Sequence, residues 1–139
     1  MARTKYRKIH LPLRAVKGRE FLSRSMGCEG VGLSLVRFKP GEGATHFHRH
    51  RVQEELYMTL KGTGSIILDG RRHAMPEGTI VRVAPSANRA IGNDSKRAVV
   101  FLIMGGIPPK KFPPGGRTLF GDGVPDRSRV PKWKKGSPS

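Results

Sequence analysis

The sequence predicts an all-β domain, a sandwich or barrel of antiparallel strands. Between residues 32 and 104, short apolar segments alternate with turn residues, and Asp69-Gly70 is the strongest hairpin signal in the chain. No 11-residue window shows a sustained helical period. At 139 residues the chain is long enough for one domain with a sizeable core, so global disorder is not expected.

Four candidate strands make up the first half of this region. Residues 32–38 form a strand candidate that enters a Lys-Pro-Gly turn. Residues 45–51 and 54–60 follow and end in a Lys-Gly-Thr-Gly turn, and residues 65–68 run into Asp69-Gly70. The chain therefore reverses direction at short intervals, as antiparallel sheets require.

Four more candidate strands complete the region. Residues 71–75 form the second strand of the hairpin after the Asp-Gly turn, and residues 79–84 follow a Pro-Glu-Gly turn. Residues 88–92 lie between a Pro-Ser-Ala turn and an Asn-Asp turn. Residues 98–104 form a continuous apolar run, which predicts a strand buried on both faces.

The two ends differ in composition from this barrel, which we assign to residues 26–104. Residues 1–25 form a basic extension in which alternating Ile9, Leu11 and Leu13 suggest an edge strand. Residues 105–139 form a basic tail rich in Pro and Gly, which predicts a loop-like wrap or a disordered segment. Parts of the tail are expected to dock, because it carries five large apolar residues, namely Ile107, Phe112, Leu119, Phe120 and Trp133.

The net charge of +17 is concentrated at these two ends. Basic ends can bind nucleic acid by neutralising phosphates. However, the sequence carries no recognised nucleic-acid motif and few aromatic side chains for base stacking. The charge alone allows nucleic acid as a partner, and the sequence favours a small-molecule ligand instead.

Cellular location follows from cysteine use and hydropathy. Cys28 is the one cysteine, so no disulfide can form within the chain. The longest apolar run covers residues 98–107, far short of the about 20 residues that a membrane-spanning helix needs. No apolar stretch follows the basic N-terminus as in a secretory signal. We therefore expect a cytoplasmic protein without membrane association.

Three histidines alternate along one candidate strand. His46, His48 and His50 would share one face, because side chains two residues apart in a strand point the same way. Glu54 and Glu55 follow after a short break. Imidazoles with a nearby carboxylate are ligands that borderline divalent metals prefer, so the pattern predicts a metal site. The alternative is a solvent-facing strand with incidental histidines.

The spacing His48-x-His50-x4-Glu55-x6-Gly62 resembles the first motif of the cupin superfamily. The resemblance implies a jelly-roll β-barrel of two antiparallel sheets with a divalent ion, such as Fe, Mn, Zn or Ni, on His48, His50 and Glu55. It also places Tyr57 on the inner face as a candidate substrate-binding residue.

The second cupin motif is similar to the stretch from Gly78 through Pro85-x-Ala87-x2-Ala90, with Asn93 near its end. The motif's histidine falls on Ala90, beside Arg89. Three outcomes remain open. The site has three ligands, or His46 or His73 completes it, or the barrel holds its ligand by hydrogen bonds and arginine. Arg89 is the candidate for binding an anionic ligand at the barrel mouth, although strand alternation turns it away from the site unless a bulge intervenes.

The resemblance favours a metal-dependent enzyme acting on a small, anionic molecule, of dioxygenase, isomerase or decarboxylase type. Two alternatives are a non-catalytic ligand-binding or sensor module without metal, and a nucleic-acid-associated protein using its basic ends. The register turns Leu56, Met58 and Leu60 outward. Three apolar side chains on one outer face would leave an exposed apolar patch, so we expect a homodimer whose interface covers them.

Overall fold

The computed structural model describes residues 5–106 and 123–133 of the chain. Within them, ten strands form two five-stranded antiparallel sheets, which confirms the predicted jelly-roll fold. Helical structure is limited to a 3₁₀ turn at Leu13–Ala15 and the four-residue helix α1 at Ser23–Met26. The strands are β1 Arg19–Phe21, β2 Gly32–Phe38, β3 Phe47–His50, β4 Glu55–Lys61, β5 Thr63–Leu68, β6 Arg71–Pro76, β7 Ile80–Val83, β8 Arg89–Gly92, β9 Val99–Gly105 and β10 Gly123–Asp126.

The strand order is β1-β2-β9-β4-β7 in one sheet and β10-β3-β8-β5-β6 in the other. The eight strands predicted between residues 32 and 104 are all present, as β2 to β9. The predicted hairpin at Asp69-Gly70 joins β5 to β6. Both turn residues have positive φ, 45° and 83°, as a two-residue hairpin turn that matches the strand twist requires.

The core lies between the two sheets. Alternation along β4 turns Glu55, Tyr57 and Thr59 inward, and all three are buried. Tyr57 belongs to a hydrophobic cluster with side chains from both sheets, which excludes water from the core. The other buried members of this cluster are Val36, Ile66, Met75, Val83, Ile91, Val99, Phe101 and Ile103.

The N-terminal edge strand lies later in the chain than the sequence indicated. Ile9 and Leu11 are outside any strand, and Leu13 begins the 3₁₀ turn. The edge strand is β1, which pairs with β2 so that Arg19 lies opposite Val36. The weak alternation at residues 9–13 was misleading because Pro12 interrupts it and removes a backbone donor.

Residues 123–133, which we call the C-terminal strap, begin as the edge strand of the second sheet and end at Trp133, which packs on the outer face of that sheet. Strand β10 pairs with β3 along its full length. Trp133 is buried, as predicted, and its indole N–H donates to the carbonyl of Ala44 at 3.0 Å. A Cβ atom on Gly43 or Gly92 would lie 2.2 or 2.1 Å from the indole, so these glycines form its seat. The other predicted docking residues of the tail lie outside the described residues.

The outer face of the first sheet carries Leu56, Met58 and Leu60, all half-buried. Ile80, the register partner of Met58 on β7, is 59 % exposed. The described part of the chain has no helix with the length and hydropathy to cross a membrane.

Candidate metal centre

Three potential metal ligands meet where the chain passes from one sheet to the other. Strand β3 carries His48 and His50 on its inward face, while the intervening Arg49 is exposed. Glu55 is the first residue of β4 in the opposite sheet. The short connection between the strands brings Glu55 Oε1 within 3.0 Å of His50 Nε2 and 3.7 Å of His48 Nε2. The structure thus brings together the three ligands that the sequence singled out.

The geometry of this cluster fits a single ion. One potential ligand atom from each residue lies within 4.8 Å of the others. The two imidazole rings stand nearly perpendicular, with their centroids 5.1 Å apart. His50 and Glu55 are buried, and His48 is half-buried at the cavity side. Two imidazoles with one carboxylate suit divalent Fe, Mn, Ni or Zn.

The protonation of these groups also fits metal binding. Burial lowers the pKa of His48, and hydrogen bonding to Glu55 offsets this only in part, so the imidazole is neutral near pH 7. Burial alone would raise the pKa of Glu55. Hydrogen bonds from His48 and His50 outweigh it and hold the pKa of Glu55 well below its usual range. His48 therefore offers a neutral nitrogen and Glu55 an ionised carboxylate, as metal ligation requires.

Tyr57 orients the carboxylate. Its side chain is 2 % exposed, and its hydroxyl donates to Glu55 Oε1 at 2.8 Å. Burial and the neighbouring charge of Glu55 raise the pKa of Tyr57 well above its usual value, so the hydroxyl keeps its proton. A fixed donor of this kind holds a ligating carboxylate in one rotamer. Tyr57 also lines the cavity, as the sequence placed it.

Arg89, and not Ala90, faces this centre. Arg89 is the register partner of His48, so the two side chains share one face. Its guanidinium is fully buried, with Nε 3.6 Å from Glu55 Oε1. Ala90 packs on the opposite face of the sheet against Trp133. The sequence assignment of these two neighbours was therefore inverted, and the space expected beside the histidines is filled by arginine.

The guanidinium of Arg89 is fixed by the turn before β8. It donates to the carbonyls of Ala84, Pro85 and Ala87 at 3.2, 3.2 and 2.9 Å. Its Nε has no hydrogen-bond partner among the described residues. Arg89 is not among the residues that line the cavity, and its side chain is fully buried beside His48. Arg89 therefore balances the negative charge of Glu55 and does not contact a ligand in the cavity.

The centre opens into a cavity of about 890 Å³ between the two sheets. His46 lines this cavity, but it precedes β3, bonds to Thr45, and lies outside the cluster of potential ligands. Three arginines that the sequence did not single out also line it, Arg19 on β1, Arg37 on β2 and Arg127 after β10. Arg19 and Arg127 were missed because strands of three or four residues leave no periodic signal.

A family model described as "Cupin domain" matches residues 34–105. The chain belongs to the cupin family. The matched range contains His48, His50, Glu55 and Arg89, whereas β1 and β10 lie outside it. A search of the curated proteins finds no match to this chain.

Solved cupin structures share the fold. A cupin protein from Bacteroides fragilis is 26 % identical with a TM-score of 0.69, covering 85 % of this chain and 95 % of that one. A sugar phosphate isomerase of the cupin superfamily from Silicibacter pomeroyi is 27 % identical with a TM-score of 0.60, and the match covers 66 % of this chain and 61 % of that one. The cupin domain of a transcriptional regulator from Enterobacter cloacae is 19 % identical, with a TM-score of 0.56 over 66 % of this chain and 96 % of that one. This last similarity shows the fold alone.

Proposed function

We propose that this cupin binds one divalent metal ion on His48, His50 and Glu55 and acts on a small anionic molecule in the cavity. The observation that carries the proposal is the convergence of these three side chains, from two sheets, on one point of the cavity wall. The ion would be Fe, Mn, Zn or Ni. When bound, it supplies Lewis-acid chemistry toward an oxygen of the molecule in the cavity.

The residues of the chain have separable tasks in this proposal. Tyr57 keeps its proton and fixes the Glu55 carboxylate. Arg89, which lies on β8 beside His48, compensates the charge of Glu55. The similarity to the sugar phosphate isomerase from Silicibacter pomeroyi supports a phosphate-bearing substrate. A site of two histidines and one carboxylate also suits reactions of the dioxygenase and decarboxylase types.

Metal content decides between this proposal and its main alternative. Protein purified without added metal should contain close to one equivalent of one of these metals by elemental analysis. The Glu55→Gln variant should lose it, while Glu54→Gln should keep it, because Glu54 is exposed and outside the cluster. A folded wild-type protein without metal, which also fails to take up any of the four ions on titration, would reject the proposal.

The second candidate is a metal-free ligand-binding or sensor module. The specific observation in its favour is the buried guanidinium of Arg89, which already places a positive charge against Glu55. A site that contains its own cation needs no ion for charge balance. In that case the cavity holds its ligand through hydrogen bonds and arginines alone. Nucleic-acid binding by the basic ends stays a prediction, for which a steep loss of affinity with added salt is the test.

A further inference from the structure

The cavity is walled in part by strands outside the cupin family model. Strand β1 is the edge of one sheet and β10 is the edge of the other. The family model covers residues 34–105 and contains neither strand. Each edge strand nevertheless brings residues to the same cavity as His48, His50 and Glu55, with Gly18, Arg19 and Phe21 on one side and Gly123, Pro125 and Arg127 on the other.

Arg19 lines the cavity with an exposed side chain, so it lies at the cavity mouth. It lies opposite Val36, a buried residue of the core between the sheets. Its guanidinium carbon lies 5.7 Å from the ring centroid of Phe21, which also lines the cavity, and this cation–π contact holds the side chain along the wall.

Arg127 follows the last residue of β10 and lines the cavity with an exposed side chain, so it lies at the cavity mouth. Within β10, Gly123 lies opposite His50 and Pro125 opposite His48, which places the strand beside the metal-ligand candidates. Among residues 5–106 and 123–133, no carboxylate forms an ion pair with Arg19 or Arg127.

We propose that Arg19 and Arg127 form an anion subsite that binds the carboxylate or phosphate group of a small ligand in the cavity. Guanidinium groups match these anions with two parallel hydrogen bonds each. The arginines come from opposite sheets, so an anion between them would bridge the two edge strands. The link to a reaction rests on the proposed function, because the opposite end of such a ligand would face His48, His50 and Glu55. Anion binding itself does not require the metal.

The test uses the full chain after treatment with a chelator. Inorganic phosphate and acetate are titrated separately by calorimetry at fixed ionic strength, so the two arms distinguish phosphate from carboxylate recognition. Wild-type protein should bind at least one probe saturably. The variants Arg19→Gln and Arg127→Gln should each weaken that binding by about tenfold, as expected for loss of charge-assisted hydrogen bonds. The matched control is Arg49→Gln, which removes an exposed charge from the outward face of β3 and should leave affinity unchanged.

Two results would overturn the subsite. One is the absence of saturable binding of either probe to the wild type. The other is equal weakening in Arg49→Gln, which would trace the binding to overall charge. Metal content measured on the same preparations separates this proposal from the metal centre. Saturable binding that depends on Arg19 and Arg127, in a protein that takes up no metal, would support the subsite and defeat the metal proposal.

Discussion

The guanidinium of Arg89 lies 3.6 Å from the Glu55 carboxylate, and Arg89 is the register partner of His48. The pairing is buried, and three backbone carbonyls hold the arginine in place. A cation next to a carboxylate stabilises its charged form but also competes electrostatically with an incoming divalent ion. If the proposed metal binds His48, His50 and Glu55, its affinity should therefore be set partly by this fixed positive charge.

Replacing Arg89 by histidine should strengthen metal binding. The substitution adds an imidazole at the register partner of His48 and removes the repelling charge. We expect the dissociation constant for Zn²⁺ or Ni²⁺ to fall by about tenfold or more, measured by competition with a chromophoric chelator. Arg49→His is the matched control, because it adds the same imidazole on the outward face of β3. Unchanged affinity in Arg89→His would contradict the idea that this arginine limits the site.

Replacing Arg89 by methionine should destabilise the metal-free protein. The substitution leaves the Glu55 carboxylate without its buried cation and removes the donors to three carbonyls. Breaking a buried pair in this way costs about 3–5 kcal/mol of the free energy of unfolding, measured with urea. Arg49→Met, at an exposed position, should change that free energy by less than about 0.5 kcal/mol. Equal losses in the two variants would show that the pairing contributes nothing.

The metal should depend on His48 and not on His46. His48 belongs to the ligand cluster, whereas His46 lies outside it on the cavity wall. His48→Ala should abolish binding, and His46→Ala should retain most of the metal, as measured by elemental analysis after dialysis. If both variants lose metal equally, all three histidines serve the ion and the cluster of three is incomplete.

Trp133 should be the main anchor of the C-terminal strap. It is buried on Gly43 and Gly92, donates to Ala44, and lies 5.2 Å from the Arg72 guanidinium. Trp133→Ala should lower the free energy of unfolding by about 3–5 kcal/mol in urea. Val130→Ala, in the same strap but 66 % exposed, should have little effect. A Trp133→Ala loss no larger than that of Val130→Ala would mean that the indole does not anchor the strap.

A homodimer should cover the apolar outer face around Leu56, Met58 and Leu60. Ile80 extends this face and is 59 % exposed in the single chain. Light scattering at micromolar concentration should give twice the chain mass, and Ile80→Lys should reduce it to the monomer mass. Val52→Lys, at an exposed position away from this face, is the control. A monomer mass for the wild type would be evidence against the dimer.

Most of the barrel could be predicted because its strands are bounded by turn residues. Asp69-Gly70 and the glycine at position 62 fix hairpins through positive φ, and these signals are local. The assignment of Arg89 and Ala90 failed for a reason that is not local. One residue more or fewer in the turn after Pro85 exchanges inward and outward faces along β8. Pairing of Arg89 with His48 decides the register, and sequence alone does not show that pairing.

The position of β1 and the presence of β10 could not be predicted, because both strands are defined by pairing with distant residues rather than by an apolar pattern of their own. Pro125 lies within β10, where an edge position tolerates a missing backbone donor. Arg19 and Arg127 acquire a role only when β1 and β10 join opposite sheets around one cavity. No spacing in the sequence relates these two residues.

The pairing of β3 with β10 also sets the order in which the centre can mature on the ribosome. Strand β3 is held along its length by β10 but meets β8 only at His48. Synthesis delivers residues 47–50 long before residues 123–126, so a nascent chain carries its two histidines on a strand with one open edge. Stalled chains that end before residue 123 should be cut by trypsin at Arg49 and Arg51, and protection should arise once β10 has emerged. The two histidines are thus made early, and the strand that pairs with them along β3 is made late.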